Sequence, residues 1–293
     1  MYERKQTMSG LLEQAASPEV LNSSWKYLRN DKAVWGTGIS RKEMEKDFVF
    51  HIIKLADDLK TGQYKPDPVR FFPISKGDGK KRIISSLTLR DKLAQRAVLK
   101  VIEPLGENIF HPNSFGYRPG RNIDMAISKV REYVLCGFHW LLDADIQSYF
   151  DNIPQRCLLK KIKKLISDQK LLTIIKKWLD SGTISQGILS SPKGIPQGAI
   201  LSPFLCNVYL TSWDNAMMSK SLTFVRFADD FIVFTKSQND AEKAHKFVKK
   251  TLRKLGLFLN IDKTQVAHCS PKISFLGKKL PDTRKIKLYT PSS

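Results

Sequence analysis

The chain is 293 residues long and 42% hydrophobic, enough for one large core or two smaller ones, which excludes a disordered protein. Its 49 lysines and arginines against 28 aspartates and glutamates give a formal net charge of +21, an excess that points to a polyanion, with nucleic acid favoured over a membrane surface. Cys136, Cys157, Cys206 and Cys269 lie far apart with no Cys-x-x-Cys pair, which excludes a zinc ribbon or a disulfide framework; with no apolar leader and no apolar run of bilayer length, we expect a cytoplasmic protein.

The first forty or so residues pattern as peripheral helix, and Gly36-Thr37-Gly38 separates them from a second helix, Arg41 towards Lys60. Pro66, Pro68 and Pro73 then stop helix and open extended chain. Strands are expected at Val69 to Ile74 and Lys81 to Ser85, flanking the glycine- and lysine-rich turn Ser75 to Lys80. Leu93, Ala97, Val98 and Val101 recur at helical spacing, so Arg90 to Glu103 reads as helix. Pro112 to Arg121 is loop, Ile123 to Leu135 helix, and Trp140 to Ile146 a short apolar strand containing Asp143 and Asp145.

Pro154 opens a lysine-rich helical pair through Leu179, and glycines and serines make Ser181 to Gly198 a long loop. Ile200, Leu201, Phe204, Leu205, Val208 and Tyr209 then set a helical period from Ala199. The apolar runs Leu222–Phe227 and Phe231–Thr235 read as a hairpin with Asp229 and Asp230 at its tip. A helix follows from about Asn239 to Leu255, with Ala241, Ala244, Val248, Leu252 and Leu255 as its apolar face and Gly256 as its stop. From Asp145 onward the order strand, helices, hairpin, helix, strand suits a split βαβ sheet with helices packed on one face.

That layout can bring Asp145 beside the hairpin tip. Clustered carboxylates raise one another's pKa, each repulsion costing roughly 4 kcal/mol at 4 Å and an effective dielectric near 20. A divalent cation removes the penalty, and two of them make a phosphoryl-transfer site. Asp143 shares the strand face of Asp145 and is its main competitor; the five histidines form neither a triad nor a metal cluster.

Ser75–Arg82, Ser114–Arg121, Asp143–Asp151, Gly194–Pro203, Phe227–Asp230, Leu255–Thr264 and Phe275-Leu276-Gly277 together resemble bacterial reverse transcriptases of the group II intron type, in the family's order. The resemblance spans residues 70 to 280, and Gly-Ile-Pro-Gln-Gly-Ala-Ile-Leu-Ser-Pro is its most specific part. It implies an α+β right-hand polymerase with fingers and palm, the palm a split βαβ (ferredoxin-like) antiparallel sheet with packed helices. The sections expected are an N-terminal helical extension at 1–65, fingers at 66–138 and palm at 139–293. The palm would contain a helical insertion at 154–180 and a primer-grip region near 275–289.

By this resemblance Asp145, Asp229 and Asp230 hold two Mg²⁺ ions, with Mn²⁺ as a substitute and the Ile146 carbonyl completing one shell. Lys263 matches a lysine that protonates the leaving pyrophosphate, against the plainer reading of a surface lysine. Lys76 and Arg82 would grip the incoming triphosphate, Phe150 would screen the sugar 2′ position, and Gln197 and Gly198 would begin the helix under the templating base pair. Arg118 and Arg121 would meet template phosphates, and Leu276 and Gly277 the primer strand. The implied activity is RNA-directed DNA polymerisation, using an RNA template, a DNA or RNA primer and dNTPs, with no membrane.

Two departures qualify the match. Phe227 stands where tyrosine is commoner, and sixteen residues follow Gly277, too few for a full helical thumb; either a structured non-coding RNA or a protein partner supplies the clamp, or processivity is low, or the chain is part of something longer. The motif wording is most similar to reverse transcriptases beside CRISPR integrases and to defence-linked relatives. The competing class is an RNA-binding, maturase-like scaffold without required catalysis. A third option, an RNA polymerase with a similar palm, is disfavoured by Phe150.

Overall fold

The computed structural model describes residues 10–29, 38–75, 81–185, 188–190 and 194–283, with 71–75, 81–85, 183–185 and 188–190 described as backbone only. In chain order the elements are α1 (Leu11–Ala15), α2 (Pro18–Leu28), α3 (Arg41–Lys46), α4 (Phe48–Thr61), β1 (Val69–Ser75), β2 (Lys81–Ser86), α5 (Leu89–Glu107), α6 (Ile123–Leu135), β3 (Trp140–Asp145), α7 (Tyr149–Asn152) and α8 (Gln155–Leu165). There follow α9 (Gln169–Asp180), β4 (Thr183–Ser185), β5 (Ile188–Ser190), α10 (Ser202–Ser219), β6 (Thr223–Phe227), β7 (Asp230–Thr235), α11 (Gln238–Lys254), β8 (Gln265–His268), β9 (Ser274–Phe275) and β10 (Lys278–Lys279). They cluster into two compact units, Met1–Asn108 with Pro154–Val208, and Ile109–Ile153 with Tyr209–Ser293. Residues 154–180, expected as an insertion in the C-terminal section, cluster with the first unit.

In the first unit, serine, threonine and aspartate caps fix the helix starts. Ser17, Ser40 and Thr88 accept from backbone amides at the heads of α2, α3 and α5, and Ser40 with Glu43 closes a capping box. Asp168 caps α9 through the Leu171 amide and also accepts from the Leu12 amide at 2.9 Å, so one buried carboxylate joins the unit's two chain segments. The helix expected over Arg41–Lys60 is broken at Asp47, whose φ of −120° and ψ of 39° lie off the helix. The loop expected over 181–198 contains β4, which pairs in parallel with β1, and β5 on its outer side, giving the order β2-β1-β4-β5. The helix expected from Ala199 starts at Ser202, after a turn at Gln197-Gly198.

The second unit is an antiparallel sheet in the order β6-β7-β3-β8. Strand alternation assigns its two faces. Leu141, Val225, Ile232 and Phe234 join Ala126, Ile127, Val130 and Val134 of α6 in one core cluster, which Phe275 and Leu280 complete. On the opposite face Trp213 of α10 packs on Phe224 and Phe231, with ring centroids 5.2 and 4.6 Å away. There α11 lies on β3, β7 and β8 through Ala241, Ala244, Val248 and Leu252, tied to α10 where Tyr209 Oη donates to the Leu255 carbonyl at 2.5 Å. The register pairs Leu141 with Phe234, Asp143 with Ile232 and Asp145 with Asp230, so these aspartates share the α6 face, at the end of the sheet that α6 leaves open. No helix among the described residues is long and apolar enough to cross a membrane.

Candidate active site

Everything at this site depends on a two-residue turn, Ala228-Asp229, between paired Phe227 and Asp230. Ala228 has φ 58°, a left-handed conformation that costs a non-glycine residue roughly 1–2 kcal/mol. The surroundings hold it there. Arg226 and Asp214 are both 0% exposed and form a two-pronged ion pair at 2.8 and 2.6 Å, while the second guanidinium arm donates to the Ala228 carbonyl at 3.0 Å. Such a pair satisfies both charges where either alone would be costly.

A second brace comes from the loop before α6. The Phe115 amide donates to the Arg226 carbonyl and the Arg226 amide to the Asn113 carbonyl, both at 2.9 Å, so Asn113–Phe115 adds a parallel edge beside β6. Gly116 then passes so close to the turn that a β-carbon would overlap the Ala228 nitrogen and lie 3.0 Å from the Phe227 carbonyl carbon. Only glycine fits this approach. Arg118, expected at the template, is found inside this loop. It is 7% exposed and donates to the His111 and Ser114 carbonyls at 2.7 Å each. Arg121, more exposed, donates to the Pro112 and Ser114 carbonyls.

Across the hairpin, β3 delivers Asp145, 8% exposed and directly opposite Asp230. Lys263 Nζ donates to Asp145 Oδ2 at 2.9 Å, and Asn260 Nδ2 donates to the same oxygen at 3.3 Å. The Asn260 amide also donates to the Asp145 carbonyl at 2.8 Å, and its side chain caps the turn that carries Lys263. Ile146 is buried and forms a bridge to Leu259, with the Gln147 amide donating to the Phe258 carbonyl at 2.9 Å. The strand end is thereby locked to the loop after α11.

Burial, with the charges of Asp229 and Asp145 added to it, pushes Asp230 up to about 7. Asp229 is raised for the same reasons, burial first and Asp145 next. Burial also raises Asp143, against a hydrogen bond from Gln265 at 3.1 Å. Lys263 is held above its usual value chiefly by its hydrogen bond to Asp145. Asp229 and Asp230, whose ionisation is suppressed by burial and by neighbouring carboxylates, make with Asp145 a set of hard oxygen donors that suits a divalent cation. Among the described residues no group of three or more His, Cys, Asp or Glu side chains has closed into a ready-made cage, and one oxygen of Asp145 is engaged by the Lys263 ammonium.

Tyr149, buried, takes the core position beside Phe150 and leaves Phe150 partly exposed on α7, their rings 5.9 Å apart. Leu276 (φ 52°) and Gly277 (φ 75°) form the two-residue turn between β9 and β10, where both central residues take positive φ. Gln197 and Gly198 lie in the first unit; Gly198 has φ 98°. Arg82 is on the β2 backbone, and Lys76 lies outside the described residues. Asp214, Arg226, Gly116 and Asn260 were not singled out by motif reading. Gly116 and Asn260 lie within the matched stretches Ser114–Arg121 and Leu255–Thr264, and Arg226 carries a signal of its own, a charge between two apolar residues of a strand.

An antiparallel sheet backed by helices, with carboxylates from two neighbouring strands at one end, defines a polymerase palm-like α+β protein. The pattern of the reverse transcriptase (RNA-dependent DNA polymerase) family matches residues 74–280, and the chain belongs to that family. It is 30% identical over 286 residues to Protein YkfC of Escherichia coli (strain K12), a match covering 83% of this chain and 74% of that one. It is 32% identical over 241 residues to the group II intron-encoded protein LtrA of Lactococcus lactis subsp. cremoris, covering 81% of this chain and 40% of LtrA. Among solved structures it is similar to a chain of a partial Cas6-RT-Cas1–Cas2 complex, with TM-score 0.51, 25% identity, and coverage of 86% of this chain and 42% of that one. The chain thus spans about two fifths of the latter two proteins.

Proposed function

We propose that this protein extends a primer with dNTPs on an RNA template, as an RNA-directed DNA polymerase serving a CRISPR-linked or antiphage defence system. One observation carries the reading: Asp145 and Asp230 face each other in register on neighbouring strands, with Asp229 beside them on a braced turn. A scaffold has no use for that arrangement. The strand order β6-β7-β3-β8, with α10 and α11 on one face, supports reading the second unit as a split βαβ, ferredoxin-like palm. The similarity to a reverse transcriptase assembled with Cas proteins supports the defence setting.

Asp145, Asp229 and Asp230 would hold two Mg²⁺ ions, or Mn²⁺ in their place, with the Ile146 carbonyl as a further ligand. Bound there, such ions activate a hydroxyl nucleophile and neutralise charge on a leaving phosphate. Lys263, held in its protonated form by its hydrogen bond to Asp145, would give a proton to the leaving pyrophosphate. Phe150 presents a partly exposed ring as the screen against a ribose 2′-hydroxyl. The first unit is assigned the fingers role, with Lys76 and Arg82 meeting the triphosphate and Gln197 and Gly198 the templating pair. Arg121, Leu276 and Gly277 are assigned to template and primer backbone, and Arg118 to holding the loop from which Arg121 reaches out.

Primer extension on an RNA template with purified protein and added Mg²⁺ tests this. Asp230→Ala is expected to abolish extension; a variant as active as the parent would reject the metal assignment. Phe150→Val is expected to admit ribonucleotides while leaving deoxynucleotide extension in place.

A further inference from the structure

The outward side of α11 carries cations for which the proposed chemistry has no use. Lys246, Lys249, Lys250, Arg253 and Lys254 are all exposed and line one shallow surface concavity. Spacings of three and four residues make them neighbours along one side of the helix. None of the five forms an ion pair among the described residues; the pair on this helix is Lys243 with Asp240, one turn from its start. Glu242 accepts from Gln238, and no further acidic residue occurs until Asp262.

A face that serves only solubility mixes both signs, because like charges three or four apart destabilise a helix. The helix dipole accounts for Arg253 and Lys254 in the last turn, where cations are favoured, but not for Lys246, Lys249 and Lys250. Location adds a second argument. α11 covers the face of the sheet opposite Asp145 and Asp230, and its cations point away from that sheet. The 3′ end that lies at the carboxylates is on the other side of the sheet from them. A membrane is the poorer occupant, because an interfacial helix inserts apolar residues, and those of α11 are buried on the sheet.

We propose that this stripe is a docking site for the phosphate backbone of an RNA, held apart from the strand being copied. Ammonium and guanidinium groups at this spacing grip phosphates and position the RNA without reading its sequence. The inference goes beyond the polymerase reading and does not depend on metal at the aspartates.

The test uses the full chain and a closed RNA hairpin with a blocked 3′ end, followed by fluorescence anisotropy over a range of salt. Lys246→Gln with Lys249→Gln and Lys250→Gln is expected to weaken binding about tenfold or more, and to flatten the slope of log affinity against log salt by about 0.7–0.9 for each contact removed. Its unfolding midpoint should equal or exceed that of the parent, since repulsion is relieved, and its extension of a short primer at saturating template should be unchanged. Asp230→Ala should bind the hairpin like the parent, so a failure of the polymerase reading would leave this result separate. Unchanged affinity and slope in the triple variant would overturn the proposal. So would tighter binding of the parent to phosphatidylserine vesicles than to RNA.

Discussion

Both units bury aspartates, and what separates one aspartate from another is whether the fold gives it partners. In the first unit, Asp91 accepts from the Tyr64 hydroxyl and from the Asp67 amide at 2.9 Å, and Trp178 donates to the same tyrosine at 2.8 Å, so the Asp91 carboxylate is satisfied by neutral donors although burial raises it. Burial pulls Asp58 up, but hydrogen bonds from Lys54 and Arg90 outweigh it and hold it below the usual range. In the second unit Asp214 is matched in the same manner by Arg226, whereas Asp229 and Asp230 are pressed together and pushed up. Matched carboxylates hold a fold; unmatched ones await a ligand.

Variants can break that contrast. Asp230→Asn should lower extension on the order of a thousandfold or more, several kcal/mol of lost charge stabilisation. The same change should raise the melting temperature of the metal-free protein, because a repulsion has gone; a lowered one would place Asp230 among the structural carboxylates. Mg²⁺ should raise the parent's melting temperature and leave that of Asp230→Asn unmoved. The sign with pH follows. Because Asp230 keeps its proton in the fold up to about 7, its contribution to stability is full in acid and declines as pH rises from the usual carboxylate range through 7. Urea midpoints of the metal-free parent should follow that decline and those of Asp230→Asn should not. Metal affinity should climb over the same window.

Asp214→Ala should do the reverse of Asp230→Asn. Leaving Arg226 buried without its partner should cost about 3–5 kcal/mol in urea unfolding. A loss under 1 kcal/mol would mean that water reaches the guanidinium. In the first unit, Tyr64→Phe removes one donor to Asp91 and one acceptor for Trp178, and should cost about 1.5–3 kcal/mol with little change in metal affinity.

Much of the second unit is legible in sequence because its central strands are short apolar runs, buried on both faces, that give way to aspartates only at one end. The apolar runs in Thr223–Phe227 and Asp230–Thr235, on either side of a two-residue break, mark the hairpin, and Ala241, Ala244, Val248 and Leu252 mark the helix after it. Three features of the fold lie beyond such patterns. β4 is three residues long and pairs with a strand more than a hundred residues earlier, where neither periodicity nor turn chemistry reports. Asp47 interrupts a stretch whose apolar spacing continues on both sides. Asn260 joins the site through its backbone as much as its side chain, and backbone partners leave no mark in composition.

The missing side chain of Gly116 has a wider reach than its position suggests. The loop before α6 and the Ala228-Asp229 turn are more than a hundred residues apart in sequence, yet they behave as a single mechanical part whose clearance is set by one hydrogen atom. A methyl group introduced there would lift the loop off the turn and tilt both carboxylates. A lesion at a residue with no side chain to offer a substrate would then be mistaken, in any genetic screen, for a lesion of the reaction centre itself.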